Sequence, residues 1–121
     1  MPSREHVEEF VRMVEAKQYL EAMEAFYAPD ATAQENNEPP RIGLPALLDN
    51  ERKTLASVGA ADAQCMRPIV IDGDRVVIHW IFTFRLPSGA MIKLEEIALQ
   101  TWRDDQLASE RFFYDSRQMR P

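Results

Sequence analysis

The chain has 121 residues, 45% of them hydrophobic, with 20 Asp and Glu against 14 Lys and Arg for a net charge of −6. That length suits one compact domain spanning 1–121 with its own core, and the negative balance argues against a nucleic-acid partner, which needs a basic face. Cys65 is the single cysteine, which excludes an internal disulfide framework; a buried, inert thiol in a reducing cytoplasm is the plain reading. His6 and His79 are far apart, and no Cys/His ligand spacing, phosphate-cradling glycine loop or Gly-x-Ser-x-Gly turn occurs. Neither a metal nor an organic cofactor is therefore expected. "MPSREHVEEF" lacks an apolar signal core, and no apolar run approaches the ~18 residues of a membrane span. The expectation is a cytoplasmic protein that does not engage a membrane.

Ser3 can cap a first helix whose stripe is Val7, Phe10, Val11 and Val14, the i, i+3, i+4, i+7 spacing of one helical face. Leu20, Met23, Phe26 and Tyr27 form a second stripe, with Pro29 marking its end. "DATAQEN" reads as a short strand and "NEPPR" as a turn. Leu44, Leu47, Leu48, Leu55 and Val58 then mark a third helix, with Pro45 suited to its first turn. After Gly59 the period changes to two. Strands are expected at about 62–71, 75–86, 90–103 and 107–115, with "DGD", "LPSGA" and "RDDQ" as turns. Three helices followed by an antiparallel meander make the class α+β.

Both faces of the meander carry apolar groups. One face holds Ile78, Trp80, Phe82 and Phe84, then Glu96, Ala98, Gln100 and Trp102, then Phe112 and Tyr114. The other holds Val77, Ile81, Ile97, Leu99 and Phe113 among polar residues that include His79. A sheet covered on one side only should be polar on the other, so the second face points to a homodimer.

"FYAPDATAQENNEPPRIG" followed by a helix, and "QTWRDDQLASERFFYD" near the end, resemble the nuclear transport factor 2-like superfamily, which includes ketosteroid isomerases, limonene epoxide hydrolases and SnoaL-like polyketide cyclases. The resemblance covers nearly the whole chain. It implies a cone-shaped, cystatin-like fold: three N-terminal helices packed on a curved antiparallel sheet around a deep apolar pocket. In the isomerases the strand that begins Asp-Ala-Thr soon presents the aspartate base, a position that falls on Glu35. In the epoxide hydrolases the same strand presents a water-binding asparagine, and counting back from "PPRIG" also reaches Glu35. The isomerases' proton-donating acid falls on Ala98 and their tyrosine near Val11. The hydrolases' arginine and two aspartates fall on Trp80, Phe82 and Phe112. Neither known machinery is present in its usual form. If Ala98 faces the pocket, strand alternation turns Glu96, Gln100 and Trp102 inward and Glu95 outward.

Glu35 and Glu96 are thus the candidate catalytic carboxylates, Glu35 as base and Glu96 as proton donor or orienter. The plain alternatives are a carboxylate bonded to loop N–H groups for Glu35 and a structural bond to Gln100, Tyr114 or an arginine for Glu96. Asn37, Trp80, Phe82, Gln100, Phe112 and Tyr114 are candidate substrate-binding residues, the aromatic ones equally at home as plain core. Glu110 shares the inner parity but lies near a strand start, where a structural or solvated role is the better expectation. Glu51 falls on the apolar stripe of the third helix, able to reach the pocket or pair with an arginine. The function expected is isomerase-, cyclase-, lyase/hydratase- or epoxide hydrolase-like acid–base chemistry on a small apolar substrate. The alternative is a noncatalytic ligand-binding or dimeric scaffold protein of the same fold.

Overall fold

The computed structural model describes residues 1–58 and 60–120, with Ala60 described by its backbone only. Gly59, where the sequence changes period, lies outside the described residues. The order is α1 (Arg4–Glu15), α2 (Tyr19–Phe26), β1 (Tyr27–Glu35), β2 (Arg41–Ile42), α3 (Leu44–Ser57), β3 (Ala60–Asp72), β4 (Arg75–Arg85), β5 (Met91–Arg103), β6 (Gln106–Phe113) and a closing 3-10 turn, η1 (Ser116–Met119).

The Ser3 hydroxyl accepts from the His6 backbone N–H at 3.1 Å, satisfying one orphan donor of the first turn of α1. The helix buries Val7, Phe10, Val11 and Val14, the stripe its spacing predicts. The second helix is shorter than its stripe. Tyr27 has already left it and begins β1, because the residue before Pro29 is driven to extended backbone and the chain must unwind ahead of it. Gly43 precedes α3 with φ of +92°, a left-handed angle that a side chain would strain. Pro45 sits in the first turn of α3, where its missing N–H costs nothing.

One six-stranded sheet forms, in the order β2-β1-β6-β5-β4-β3. The expected curved antiparallel cone needs correction on two counts. The sheet is mixed, because β1 pairs parallel with β6, and it is not strongly curled into a cone. The parallel pair joins residues more than seventy positions apart, as in Glu35 opposite Phe112, and local periodicity carries no signal for such a pairing. The weak curl has a physical reason in the register. Between β4 and β5 it runs without a shift from Arg75 opposite Thr101 to Arg85 opposite Met91. Bulges bend sheets, and here the register shifts lie elsewhere, between β3 and β4 around Met66–Val70, between β5 and β6 at Thr101–Trp102 and between β1 and β6 at Tyr27–Thr32.

The helices pack on the inner face. Alternation along β5 is complete: Ile92, Leu94, Glu96, Ala98, Gln100 and Trp102 are buried in turn. Trp102 and Leu107 are sealed under α1 and α2, where Phe10 and Phe26 meet the indole edge-on at 6.1 and 6.3 Å. Each such side chain contributes roughly 1.5–3 kcal/mol on burial. The outer face keeps Ile97 and Phe113 at 38% and 40% exposure, with the Arg111 guanidinium 4.6 Å above the Phe113 ring. Glu95 is outside and pairs with His79 at 2.6 Å. Among the described residues no helix is long and apolar enough to cross a membrane.

Candidate functional site

A cavity of about 270 Å³ lies between the helices and the inner face of the sheet. Its wall is aromatic where β4 and β6 pass, with Trp80, Phe82, Phe84 and Phe112. Trp80 and Phe82 stand 5.5 Å apart, and Phe82 stacks on Phe84 at 6.2 Å. Val14, Met23 and Leu47 close the helical side.

Four carboxyls reach this apolar space, each from a different element: Glu35 from β1, Glu51 from α3, Glu96 from β5 and Glu110 from β6. Among the described residues Arg41 of β2 is the one guanidinium on the lining. The carboxyls come from four elements, and among the described residues they do not converge as metal ligands.

Glu110 is 4% exposed and tied down. Gln100, directly opposite it across the β5–β6 ladder, donates from Nε2 to its Oε2 at 2.6 Å. The Tyr27 hydroxyl donates to its Oε1 in a short contact. Trp102 Nε1 in turn donates to Gln100 Oε1 at 3.0 Å, fixing which way the amide faces. Burial pushes the Glu110 carboxyl up to about 7, against the pull of the two hydrogen bonds. Tyr27 is held well above its ordinary range by burial and by the Glu110 charge.

Glu96 differs in every respect but burial. It is 6% exposed, and among the described residues no hydrogen bond or ion pair reaches its carboxyl. No described side-chain oxygen is both sealed and unpaired, so the Glu96 oxygens face the cavity they line. Desolvation first, then the charges of Glu35, Glu110 and Glu51, push its pKa up to about 8. The bond to Gln100 or Tyr114 that alternation made available is not formed; Gln100 is already committed to Glu110.

Glu35 is raised by burial, with the Arg41 charge and a 3.4 Å hydrogen bond from the Tyr114 hydroxyl acting the other way. Glu51 is raised by burial and by Glu35. Desolvation, followed by Glu35 and Glu96, holds Tyr114 up at about 12.

The structure brings Glu35, Glu96, Trp80, Phe82, Phe112 and Tyr114 to one cavity. It does not bring Gln100 or Asn37 to the lining. Gln100 is fully buried behind Glu110, and the exposed Asn37 accepts from Arg111 at 2.6 Å on its Oδ1. Sequence reasoning passed over Arg41 and Tyr27, and of the structural or solvated roles expected for Glu110 the structure shows the structural one. Glu110 had its signal, the parity shared with Phe112 and Tyr114. Fraying was expected at its strand start, but β6 is flanked there by β1 and β5, and the side chain is buried. Tyr27 was counted to a helical stripe that it leaves.

Residues 7–110 match the family model described as the SnoaL-like domain. No curated protein matches the chain. Among solved structures, a candidate SnoaL-like polyketide cyclase from Jannaschia sp. CCS1 aligns with a TM-score of 0.77 at 16% identity, over 91% of this chain and 85% of that one. A LEH-like epoxide hydrolase of M. tuberculosis aligns with a TM-score of 0.77 at 16% identity, over 95% and 84%. A hypothetical protein with a ketosteroid isomerase-like fold from Catenulispora acidiphila DSM 44928, in complex with trimethylamine, aligns at 0.76 and 16% identity, over 88% and 85%. Identities this low show a shared fold, and the relatives that share it include proteins of cyclase and hydrolase type.

Proposed function

Because the chain belongs to the SnoaL-like domain family and has the nuclear transport factor 2-like fold, we propose that its cavity is the active site of an enzyme using acid–base chemistry on a small, largely apolar molecule. The observation that carries the proposal is the pairing of two cavity-lining carboxyls in unlike surroundings. Glu35 has a guanidinium and a hydroxyl favouring its charged form, whereas Glu96 has neither. Glu35 therefore gives up its proton first, and Glu96 keeps its own near neutrality. Two carboxyls separated in this way divide into a base and an acid.

In this reading Glu35 removes a proton from a carbon next to a carbonyl while Glu96 hands its proton to the carbonyl oxygen. The product is an enol. Where a carbon–carbon double bond is conjugated with that enol, return of the Glu35 proton to the far carbon of the dienol, with the oxygen's proton going back to Glu96, completes an isomerisation and resets both groups. The same pair serves addition or elimination of water, or opening of an epoxide, with Glu35 activating the water. Trp80, Phe82 and Phe112 would hold the apolar body, and Tyr114 orients Glu35. The decisive experiment is a screen of the purified protein against apolar ketones, lactones and epoxides, with Glu35→Gln alongside. Turnover that Glu35→Gln abolishes is expected; turnover that survives it removes Glu35 as the base.

A second reading, a noncatalytic ligand-binding protein, is favoured by the apolar residues Trp80, Phe82, Phe112 and Ala98 at positions where the resemblance places charged groups. Either reading accommodates a homodimer joined through the outer face, supported by the exposure of Ile97 and Phe113. Ile97→Glu with Phe113→Glu should yield monomers or aggregates in sedimentation. A wild type that sediments as a monomer at micromolar concentration counts against the dimer.

A further inference from the structure

The charge on the cavity wall is one-sided. Four carboxyls share an apolar space with one guanidinium. Arg41 acts on Glu35 and Tyr114, pulling both downward. Acid clusters on a protein surface are commonplace; the informative group here is Glu96. It is 94% buried, taking the complement of its 6% exposure, it lines the void, and it has no partner among the described residues. A buried carboxyl without a partner costs several kcal/mol once ionised. A fold that retains one at the wall of a cavity leaves its partner to come from whatever enters.

We propose that the ligand of this cavity is an organic cation, an amine or quaternary ammonium with an apolar body, seated with its charge at Glu96. The inference rests on the cavity being a ligand site and deepens the ligand-binding reading, because a cation seated at Glu96 takes the place of the proton that the acid–base reading has Glu96 donate. An anionic ligand would be repelled at low dielectric by every wall carboxyl that has given up its proton, with the Arg41 guanidinium to offset it. A neutral hydrocarbon would gain the aromatic wall and leave Glu96 unsatisfied. A cation gains both. Trp80 is opposite Glu96 across the β4–β5 ladder and both line the cavity, so an indole and a carboxyl are side by side where the charge would rest. The rings of Phe82 and Phe84 continue the same wall, and aromatic faces attract cations within about 6 Å of the ring centre.

The proposal has a pH signature. The titratable and charged groups facing Glu96 are Tyr19 of α2, Tyr27 and Glu35 of β1, Arg41 of β2, Glu51 of α3, Glu110 of β6 and Tyr114 just beyond it. The tyrosines stay neutral through the physiological range, so the carboxyls alone change charge there. A bound cation lowers the Glu96 pKa, which means binding expels its proton and tightens as pH rises through about 8.

The test uses two probes of one shape, phenyltrimethylammonium and tert-butylbenzene, which differ by replacement of a charged nitrogen with a neutral carbon. Tryptophan fluorescence reports binding, and calorimetry in buffers of different ionisation enthalpy counts the protons released. At about pH 9 the cation should bind at least tenfold more tightly than its neutral isostere, the size expected for one desolvated charge contact. The preference should shrink as pH falls and Glu96 takes up its proton. Glu96→Gln should erase most of it at that pH, read as the ratio of the two probes' affinities, and preserve the circular dichroism spectrum. Glu51→Gln, on a half-buried helical position, should reduce it less. Equal or tighter binding of tert-butylbenzene at high pH, or a charge preference that survives Glu96→Gln in folded protein, overturns the proposal. Binding is read without turnover, so this outcome is separate from the Glu35→Gln test of the acid–base reading.

Discussion

Glu110 and Glu96 sit on neighbouring strands, face the same cavity and are buried to almost the same degree, yet the protein treats them oppositely. Glu110 receives hydrogen bonds on both oxygens, from Tyr27 and Gln100, and Gln100 is itself held by Trp102. Glu96 receives none among the described residues. The first carboxyl belongs to the architecture, because its removal strands two other buried groups. The second is a debt within the fold, tolerated because its protonated form is neutral. Burial alone does not separate a structural acid from a functional one; the supply of partners does.

The largest expected effect breaks the tied end. Glu110→Ala leaves the Tyr27 hydroxyl and the Gln100 amide buried without partners, at a cost of about 3 kcal/mol or more. Denaturant titration at neutral pH measures it, and a loss below ~1 kcal/mol would show that the network adds little to stability.

The next effect has the opposite sign. The folded state holds the Glu96 proton up to about 8, whereas the unfolded chain releases it near the ordinary glutamate range. Stability from this group is complete at low pH and is lost as pH rises through the folded value, since the native state binds the extra proton. Glu96→Gln should therefore be near neutral around pH 5 and stabilising by on the order of 2 kcal/mol at pH 9. Melting curves across that interval would show a wild-type decline that the variant flattens. A parallel decline in both proteins would assign the slope to Glu110 or Glu51.

The smallest effect lies at Glu35. Its carboxyl is partly exposed, with Tyr114 at 3.4 Å, so Glu35→Gln should change stability by less than about 1 kcal/mol. A larger loss by denaturant titration would move Glu35 to the architectural side of the comparison.

Much of this contrast could be read in the sequence, and one half could not. Alternation in "KLEEIALQTW" puts Glu96 and Gln100 on one face and Glu95 on the other, because a strand offers only two faces, and the resemblance, through Ala98, named the first face as the inner one. The stripe of α1 is equally explicit, since Val7, Phe10, Val11 and Val14 have no other way to be buried together. Partnership is different. Whether Gln100 bonds Glu96 or Glu110 depends on which residue of β6 lies opposite, and a register across a turn with a bulge at Thr101–Trp102 leaves no mark in local composition. The mixed sheet escaped for the same reason. "DATAQEN" shows a strand, and nothing in it names β6 as its neighbour.

The parallel seam between β1 and β6 also sets the order in which the molecule assembles. The Tyr114 N–H reaches the Asn36 side chain across 78 residues of sequence, and Tyr114 and Glu35 meet across 79. Such contacts must close a long loop before they return any energy, which slows folding. On a ribosome β1 emerges early and waits, one edge unpaired, until nearly all of the described chain has been made. In that interval its backbone N–H and C=O groups are open to strands of other chains. The cavity exists only once β6 has docked, so the protein is complete as a fold and as a binding site at the same moment.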